Sequence, residues 1–267
     1  MENRLEIYID YIKNCELADN TKSKYIKDAK DLEDYLAEDE ITPGKLLAYK
    51  EYLIENYKTS TVNSKLGSIN KYLSYNSLED LKLKLIKVQS KSFNDIMTIT
   101  DFNRLMRYAK KKGTKRDELM LWTFYYTGIR VSELKYFTVE SVRKGSMEFY
   151  SKGKHKTVVL ASKLRKMARK YVKDNKIGCG PVLISREGNP ISDSTVKYRL
   201  KKLSGWSKVS KAKCHPHAIR HLMAKQYLEA GGDIMSLADQ LGHSSLDITR
   251  IYTKATPSEM RSKLDRM

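Results

Sequence analysis

Three short units beyond residue 90 place arginine, histidine and tyrosine near predicted helix ends. The residues are Arg130, His217, Arg220, His243 and Tyr252. The planar guanidinium of arginine binds two phosphate oxygens at once, histidine titrates near neutrality, and tyrosine can act as a nucleophile. These residue types together suit covalent chemistry at a phosphate group. Taken one at a time, each unit is equally well explained by ordinary packing at a helix end.

The spacing His215-x-His217-x3-His221 also invites a zinc interpretation. Pro216 breaks the geometry of the first pair, and no cysteine or carboxylate at ligand spacing completes a tetrahedral set. A Walker-type phosphate loop is absent, and no acidic cluster indicates a two-metal nuclease site. We therefore expect neither a metal nor a cofactor.

Net charge is the strongest signal in the composition. The 267 residues carry 51 lysines and arginines against 32 aspartates and glutamates, a net charge of +19. Residues 1–90 hold 14 basic and 16 acidic side chains, whereas residues 91–267 hold 37 and 16. The excess positive charge thus lies entirely in the second segment, which favours a nucleic-acid partner over a uniform lysine habit.

Cysteine usage and hydropathy indicate a reducing compartment. The three cysteines are scattered without paired spacing, which argues against a disulfide framework. No run approaches the roughly 18–20 apolar residues of a membrane span. The N-terminus MENRLEIYIDYIKN is too charged for a secretory signal. We therefore expect a cytoplasmic protein with no membrane segment.

Apolar residues recur at helical spacing through the first segment and predict four short helices. A tripeptide at 42–44, Thr-Pro-Gly, separates the second helix from the third. The stretch 87–95 has no sustained period and is typical of a linker. We predict an N-terminal four-helix bundle at 1–88, a linker at 89–97 and a larger domain at 98–267.

The second domain combines helices with a small antiparallel sheet, so the predicted fold class is mainly α with an α+β second domain. Residues 147–150 and 157–160 predict a hairpin around a turn at 151–155, and 182–185 predict a further strand. Start and stop residues predict the helix boundaries. These residues are Thr100, Gly128, Asp193 or Ser194, Pro216, Gly231, Asp233, Gly242 and a capping box at 256–259.

Taken together, these units resemble the tyrosine recombinase (phage integrase) family. The matches are TGIRVSEL, the hairpin lysine in SKGKHK, His-x-x-Arg in HAIRH, and LGHSS with a tyrosine nine residues after its histidine. Each motif alone is weakly specific, but five in the family's order are strongly specific. They cover the second domain, which the resemblance makes the catalytic domain. The first domain is similar, more loosely, to the family's core-binding bundle, as in the minimal two-domain Xer-like type.

The resemblance implies a site-specific recombinase that cuts and rejoins DNA through a 3′-phosphotyrosyl intermediate and a Holliday junction, without metal or ATP. Tyr252 would attack phosphorus. Arg130 and Arg220 would stabilise the negative charge that gathers on the nonbridging oxygens. Glu133, in the Arg-x-x-Glu position, is expected to cap a helix or orient an arginine.

The same resemblance assigns the proton transfers. His217 would act as general base or phosphate contact, and His243 would donate a hydrogen bond to a nonbridging oxygen. Lys152 would protonate the leaving 5′-oxygen, and two nearby arginines would favour the lower pKa that this role needs. Lys154 and Lys156 share the hairpin, and the alternation of strand faces keeps Lys154 in contention as the general acid.

Double-stranded DNA and further copies of the chain are the expected partners. The resemblance implies a homotetramer on two duplexes, and a short helix after Pro257 would dock into a neighbouring protomer. No accessory protein can be named from the sequence. The lysines expected to contact DNA are Lys22, Lys24, Lys65, Lys154 and Lys156.

Two alternatives remain open at the level of sequence. A type IB topoisomerase uses similar active-site residues to relax supercoils as a monomer. A catalytically idle DNA-binding regulator would share the fold without the reaction, although it would have no chemical reason to retain Arg130, Arg220, His243 and Tyr252 together.

Overall fold

The computed structural model of the protein describes residues 4–37, 40–87, 97–151 and 154–242, together with Arg261 and Asp265. The chain divides into two compact units, Met1–Lys91 and Ser92–Met267. Their helices and one two-stranded sheet confirm the predicted, mainly α fold class. Within the described ranges, no helix is both long enough and apolar enough to cross a bilayer.

The first unit contains the four predicted helices. Their apolar stripes meet in one core, in which Tyr8, Leu32 and Leu66 are fully buried. Thr42 caps the third helix, and Pro43 occupies its first turn, where a missing N–H costs nothing. The helices are α1 (Arg4–Asn14), α2 (Asp19–Leu36), α3 (Pro43–Asn56) and α4 (Thr59–Tyr75).

The second unit packs helices around a separate core that includes Phe102, Phe124 and Phe137. The hairpin interrupts the series of helices in sequence. The helix at Pro216–Glu229, after the hairpin, packs against the earlier helix at Lys115–Thr127. The helices are α5 (Ile99–Lys112), α6 (Lys115–Thr127), α7 (Val139–Lys144), α8 (Ser162–Asp174), α9 (Asp193–Ser207), α10 (Pro216–Glu229) and α11 (Ile234–Leu241).

The predicted hairpin is present, with longer strands and a shorter turn. β1 (Ser146–Ser151) pairs antiparallel with β2 (Lys154–Val159). The predicted five-residue turn at 151–155 is wrong, because the backbones at 151 and 154 are already paired. Residues 152 and 153 lie between the paired strands and outside the described residues.

The predicted strand at 182–185 is wrong. The structure has only isolated bridges near this segment in the described ranges, between Thr138 and Pro181 and between Ile184 and Pro190. Proline has no N–H to donate to a ladder, so the two prolines interrupt pairing on both sides.

Two predicted helix starts shift by one or two residues. α5 begins at Ile99 because Thr98 accepts from the backbone N–H of Asp101 and forms a capping box, whereas Thr100 lies inside the helix. α9 is capped by Ser192, not by Asp193 or Ser194. The predicted stops at Gly128 and Gly242 are confirmed, and both glycines adopt the left-handed conformation.

Candidate active site

Arg130 lies at the turn between α6 and a short 3-10 helix, Val131–Tyr136. A Cβ added at Gly128 would lie 2.5 Å from Leu241 Cδ2, so glycine allows the end of α11 to approach this turn. Glu133 accepts two hydrogen bonds from Arg130. The backbone N–H of Arg130 donates to Glu133 Oε2 at 2.9 Å, and Arg130 Nη1 donates to Oε1 at 2.8 Å. Glu133 is therefore both helix cap and arginine-orienting partner.

Arg220 is buried in α10, with 2% of its surface exposed. Its Nη1 donates to the carbonyl oxygen of Gly128 at 2.6 Å, and its Nη2 donates to that of Leu241 at 2.8 Å. These carbonyls lie at the C-terminal ends of α6 and α11, where the helix itself supplies no partner. Arg220 therefore connects the turn that precedes Arg130 with the segment that leads to His243.

The histidines at the start of α10 have different surroundings. His215 caps the helix, because its Nδ1 accepts from the backbone N–H of Ala218 at 3.1 Å. His217 is exposed and meets His221 edge-on, with 4.4 Å between ring centroids. Among the residues that the structure describes, no three histidine, cysteine or acidic side chains form a metal-binding group.

Lys156 reaches the Arg130 turn from the hairpin. The residue is 5% exposed, and its Nζ donates to Glu133 Oε2 at 2.9 Å. Burial lowers the pKa of the Lys156 ammonium, Glu133 opposes this shift, and the charges of Arg220 and Arg130 lower the pKa further. The sequence predicts Lys156 as a DNA contact, whereas the structure places its ammonium in an internal ion pair.

The remaining predicted site residues cannot be placed. Lys152, His243 and Tyr252 lie outside the described residues, as does the predicted helix after Pro257, and the side chain of Lys154 is not described either. The structure therefore shows the arginine part of the predicted site and the histidine on α10.

Comparison with known proteins identifies the family. Residues 95–259 match the phage integrase family, and this range is more than half of the chain. The chain belongs to the phage integrase family. This confirms the family that the motifs of the second domain predicted.

Named relatives agree with this assignment. Tyrosine recombinase XerC of Thermodesulfovibrio yellowstonii is 29% identical over 223 residues, which cover 76% of this chain and 74% of the relative. A tyrosine recombinase of Pseudothermotoga lettingae is 28% identical over 289 residues, covering 100% of this chain and 99% of the relative. This phage integrase family member is thus a tyrosine recombinase, an enzyme of site-specific recombination, and the topoisomerase and regulator alternatives are not favoured.

A solved structure shares the fold. The crystal structure of a lambda integrase tetramer bound to a Holliday junction matches 93% of this recombinase and 76% of its own chain. The TM-score is 0.75 at 17% sequence identity. At that identity the likeness concerns the fold.

The lysines predicted as DNA contacts in the first unit have internal partners. Lys22 Nζ donates to a backbone carbonyl at the end of α1 at 2.7 Å. Lys24 Nζ lies 3.0 Å from Asp28 Oδ2. Lys65 is buried between α2 and α4, with its Nζ 3.1 Å from Asp28 Oδ1 and 2.6 Å from Asp31 Oδ2. The ammonium of Lys65 is therefore occupied inside the bundle.

We expect Lys65→Met to destabilise the first unit by about 3 kcal/mol, because it removes the buried cation that binds Asp28 and Asp31, and the more exposed ammonium of Lys24 compensates the buried Asp28 carboxylate only in part. Urea denaturation followed by circular dichroism measures the change. Lys30→Met, which removes an exposed charge from α2, serves as the matched control. A Lys65→Met variant as stable as the control would contradict the structural role.

Sequence patterns predicted the contact between near neighbours in the site but not the contact between distant residues. The Arg-x-x-Glu pattern located Glu133 because its partner is three residues away. The pairing of Lys156 with Glu133 spans 23 residues of sequence, and no spacing rule connects them. The one available signal was strand alternation, which places 154 and 156 on the same face of β2.

Proposed function

We propose that the recombinase cuts and rejoins double-stranded DNA through a covalent bond between Tyr252 and a 3′-phosphate. The observation that carries this proposal is the position of Arg220, whose guanidinium connects the Arg130 turn with the segment before His243. Arg220 Nη1 binds the carbonyl of Gly128, two residues before Arg130, so the side chains of both arginines lie at the same turn. The strongly basic composition beyond residue 90 supports a DNA partner.

In the proposed reaction, the phenol oxygen of Tyr252 attacks phosphorus and the bond from phosphorus to the 5′-oxygen breaks. The phenol proton passes to His217, and Lys152 donates a proton to the leaving 5′-oxygen. Lys152 is preferred over its neighbours because it matches the first lysine of the family's Lys-Gly-x-Lys pattern, whose fourth position is His155 in this chain. The phosphotyrosyl bond retains the energy of the original phosphodiester, so rejoining needs neither metal nor ATP.

Transition-state stabilisation falls to the arginines and to His243. Negative charge increases on the nonbridging oxygens during attack, and fixed donors are most effective where that charge develops. Arg130 is fixed by Glu133, while Arg220 is fixed by two carbonyls, so neither guanidinium has to reorganise during the reaction. His243 would donate a further hydrogen bond to a nonbridging oxygen.

We further propose a homotetramer on two DNA sites that exchanges strands through a Holliday junction. The fold shared with a lambda integrase tetramer bound to such a junction supports this assembly. The helix predicted after Pro257 would dock into the neighbouring protomer and thereby position Tyr252. Among the predicted DNA contacts, Lys22, Lys24 and Lys154 remain proposals.

Trapping DNA on the wild-type protein tests the function. Randomised duplexes that carry a nick a few nucleotides to the 3′ side of the cleavage point release the short fragment that bears the new 5′-hydroxyl, so the adduct cannot be reversed. We expect a covalent protein–DNA species whose sequenced DNA defines one site. Peptide mapping should place the attachment on Tyr252. Attachment to another residue, or a complex that dissociates in detergent, would contradict the proposal.

A further inference from the structure

Lys156 is a buried cation next to two arginines, which is an unusual environment for a lysine. Buried lysines are rare unless they are paired, because an ammonium loses its hydration. Here the pairing is with Glu133 at 2.9 Å, and both side chains are at most 4% exposed. The ammonium also lies 5.4 Å from the ring centroid of Phe149, the cross-strand partner of Lys156.

Glu133 is shared between Lys156 and Arg130. Its Oε2 accepts both from Lys156 Nζ and from the backbone N–H of Arg130, at 2.9 Å each. Its Oε1 accepts from Arg130 Nη1 at 2.8 Å. The hydrogen bond from Lys156 to Oε2 therefore also orients the carboxylate that binds the guanidinium of Arg130.

The stem of Lys156 also contacts the end of α11. A Cβ added at Gly242 would lie 2.8 Å from Lys156 Cδ and 2.9 Å from its Cε, so the lysine stem packs directly on this glycine. Gln240 strengthens the same contact, because its side chain accepts from the backbone N–H of Val159 at 3.0 Å and donates to its carbonyl at 3.1 Å. β2 is thus attached to the segment immediately before His243.

The group of charges that includes Lys156 is positive overall. Three cations, Lys156, Arg130 and Arg220, accompany the single carboxylate of Glu133 in this part of the described structure. The carboxylate of Glu133 offsets the repulsion among the three positive charges, and Lys156 holds its Oε2 in place. The arrangement therefore leaves the guanidinium of Arg130 available to an anion while its position stays fixed.

We propose that Lys156 is a positioning residue for the recombination reaction, which holds Glu133 so that Arg130 is oriented toward the scissile phosphate, and which joins the hairpin to the end of α11. This inference rests on the proposed function and replaces the predicted DNA contact at this lysine. Lys156 acts through Glu133 and does not touch the substrate.

The test separates cleavage from binding. Lys156→Met keeps the aliphatic stem and removes the ammonium. At saturating concentrations of the nicked duplex recovered by trapping, we expect its single-turnover rate of adduct formation to fall by at least about tenfold, with DNA affinity within about threefold of wild type. Lys166→Met removes an exposed charge from α8 and should change neither value.

A double-mutant cycle with Glu133→Gln tests the route. If Lys156 acts through Glu133, the double variant should cleave about as slowly as the slower single variant, whereas independent effects multiply. Multiplying effects, or a Lys156→Met variant that cleaves at the rate of an active wild type, would overturn this inference alone. A wild-type protein that forms no adduct would overturn the proposed function as well, because a positioning role requires a reaction.

Discussion

Tyr252→Phe is expected to bind its DNA site almost normally and to form no covalent adduct. Phenylalanine keeps the aromatic ring and lacks the oxygen that would bond to phosphorus, so nucleophilic attack has no substitute at this position. The lost hydroxyl contributes at most one hydrogen bond to binding, so we expect an affinity within about tenfold of wild type. Nicked duplexes resolved on denaturing gels measure the adduct, and gel-shift titration measures the affinity.

Tyr198→Phe provides the matched control for this experiment. Tyr198 is exposed on α9 in the same unit, and its replacement also removes one phenol oxygen. We expect this variant to form the adduct at the wild-type rate. An adduct that persists in Tyr252→Phe would falsify the assignment of the nucleophile.

Local chemistry explains why much of the fold could be predicted from the sequence. Thr42 and Asp233 are capping residues whose side chains accept from backbone N–H groups three residues later, and in the structure a helix starts directly after each. Gly128 and Gly242 end helices because only glycine readily adopts the left-handed conformation. Such signals depend on neighbouring residues alone and therefore survive in the folded chain.

The errors have one local and one distant cause. Residues 182–185 have the β propensity of a strand, but the flanking residues Pro181 and Pro190 cannot complete a ladder. Lys65 has the composition of a DNA contact, yet Asp28 lies 37 residues away in sequence and binds it inside the bundle. Charge counted along the sequence cannot distinguish an exposed lysine from a paired one.

In the candidate site, too, some features were predictable from the sequence and others were not. The types and order of six residues were sufficient to predict the family, and that resemblance implied the reaction. These residues are Arg130, Lys152, His217, Arg220, His243 and Tyr252. The partners that fix Arg220 were not predictable, because they are main-chain carbonyls at the ends of other helices. The sequence therefore predicted which groups would react, and the structure showed how Arg130 and Arg220 are held.

Arg220→Ala is expected to lose both catalysis and stability, whereas Arg130→Ala should lose catalysis alone. Removing a fixed donor from a developing oxyanion reduces rates by about 10²–10³-fold, so both variants should be slower by at least that factor. Only Arg220 also binds the carbonyls of Gly128 and Leu241, and its side chain is fully buried. The alanine variant leaves two carbonyls unpaired beside a cavity, which we expect to cost about 3–5 kcal/mol.

Thermal unfolding and single-turnover cleavage of the same preparations separate the two effects. Arg130 is about one-third exposed and keeps its backbone bond to Glu133 after truncation, so its alanine variant should melt within a few degrees of wild type. Arg220→Lys retains a positive charge but cannot reach both carbonyls with planar geometry, so it should recover only part of the stability and little of the rate. Equal melting temperatures for the two alanine variants would show that Arg220 does not hold the ends of α6 and α11 together. Unimpaired cleavage by either variant would remove that arginine from the catalytic centre.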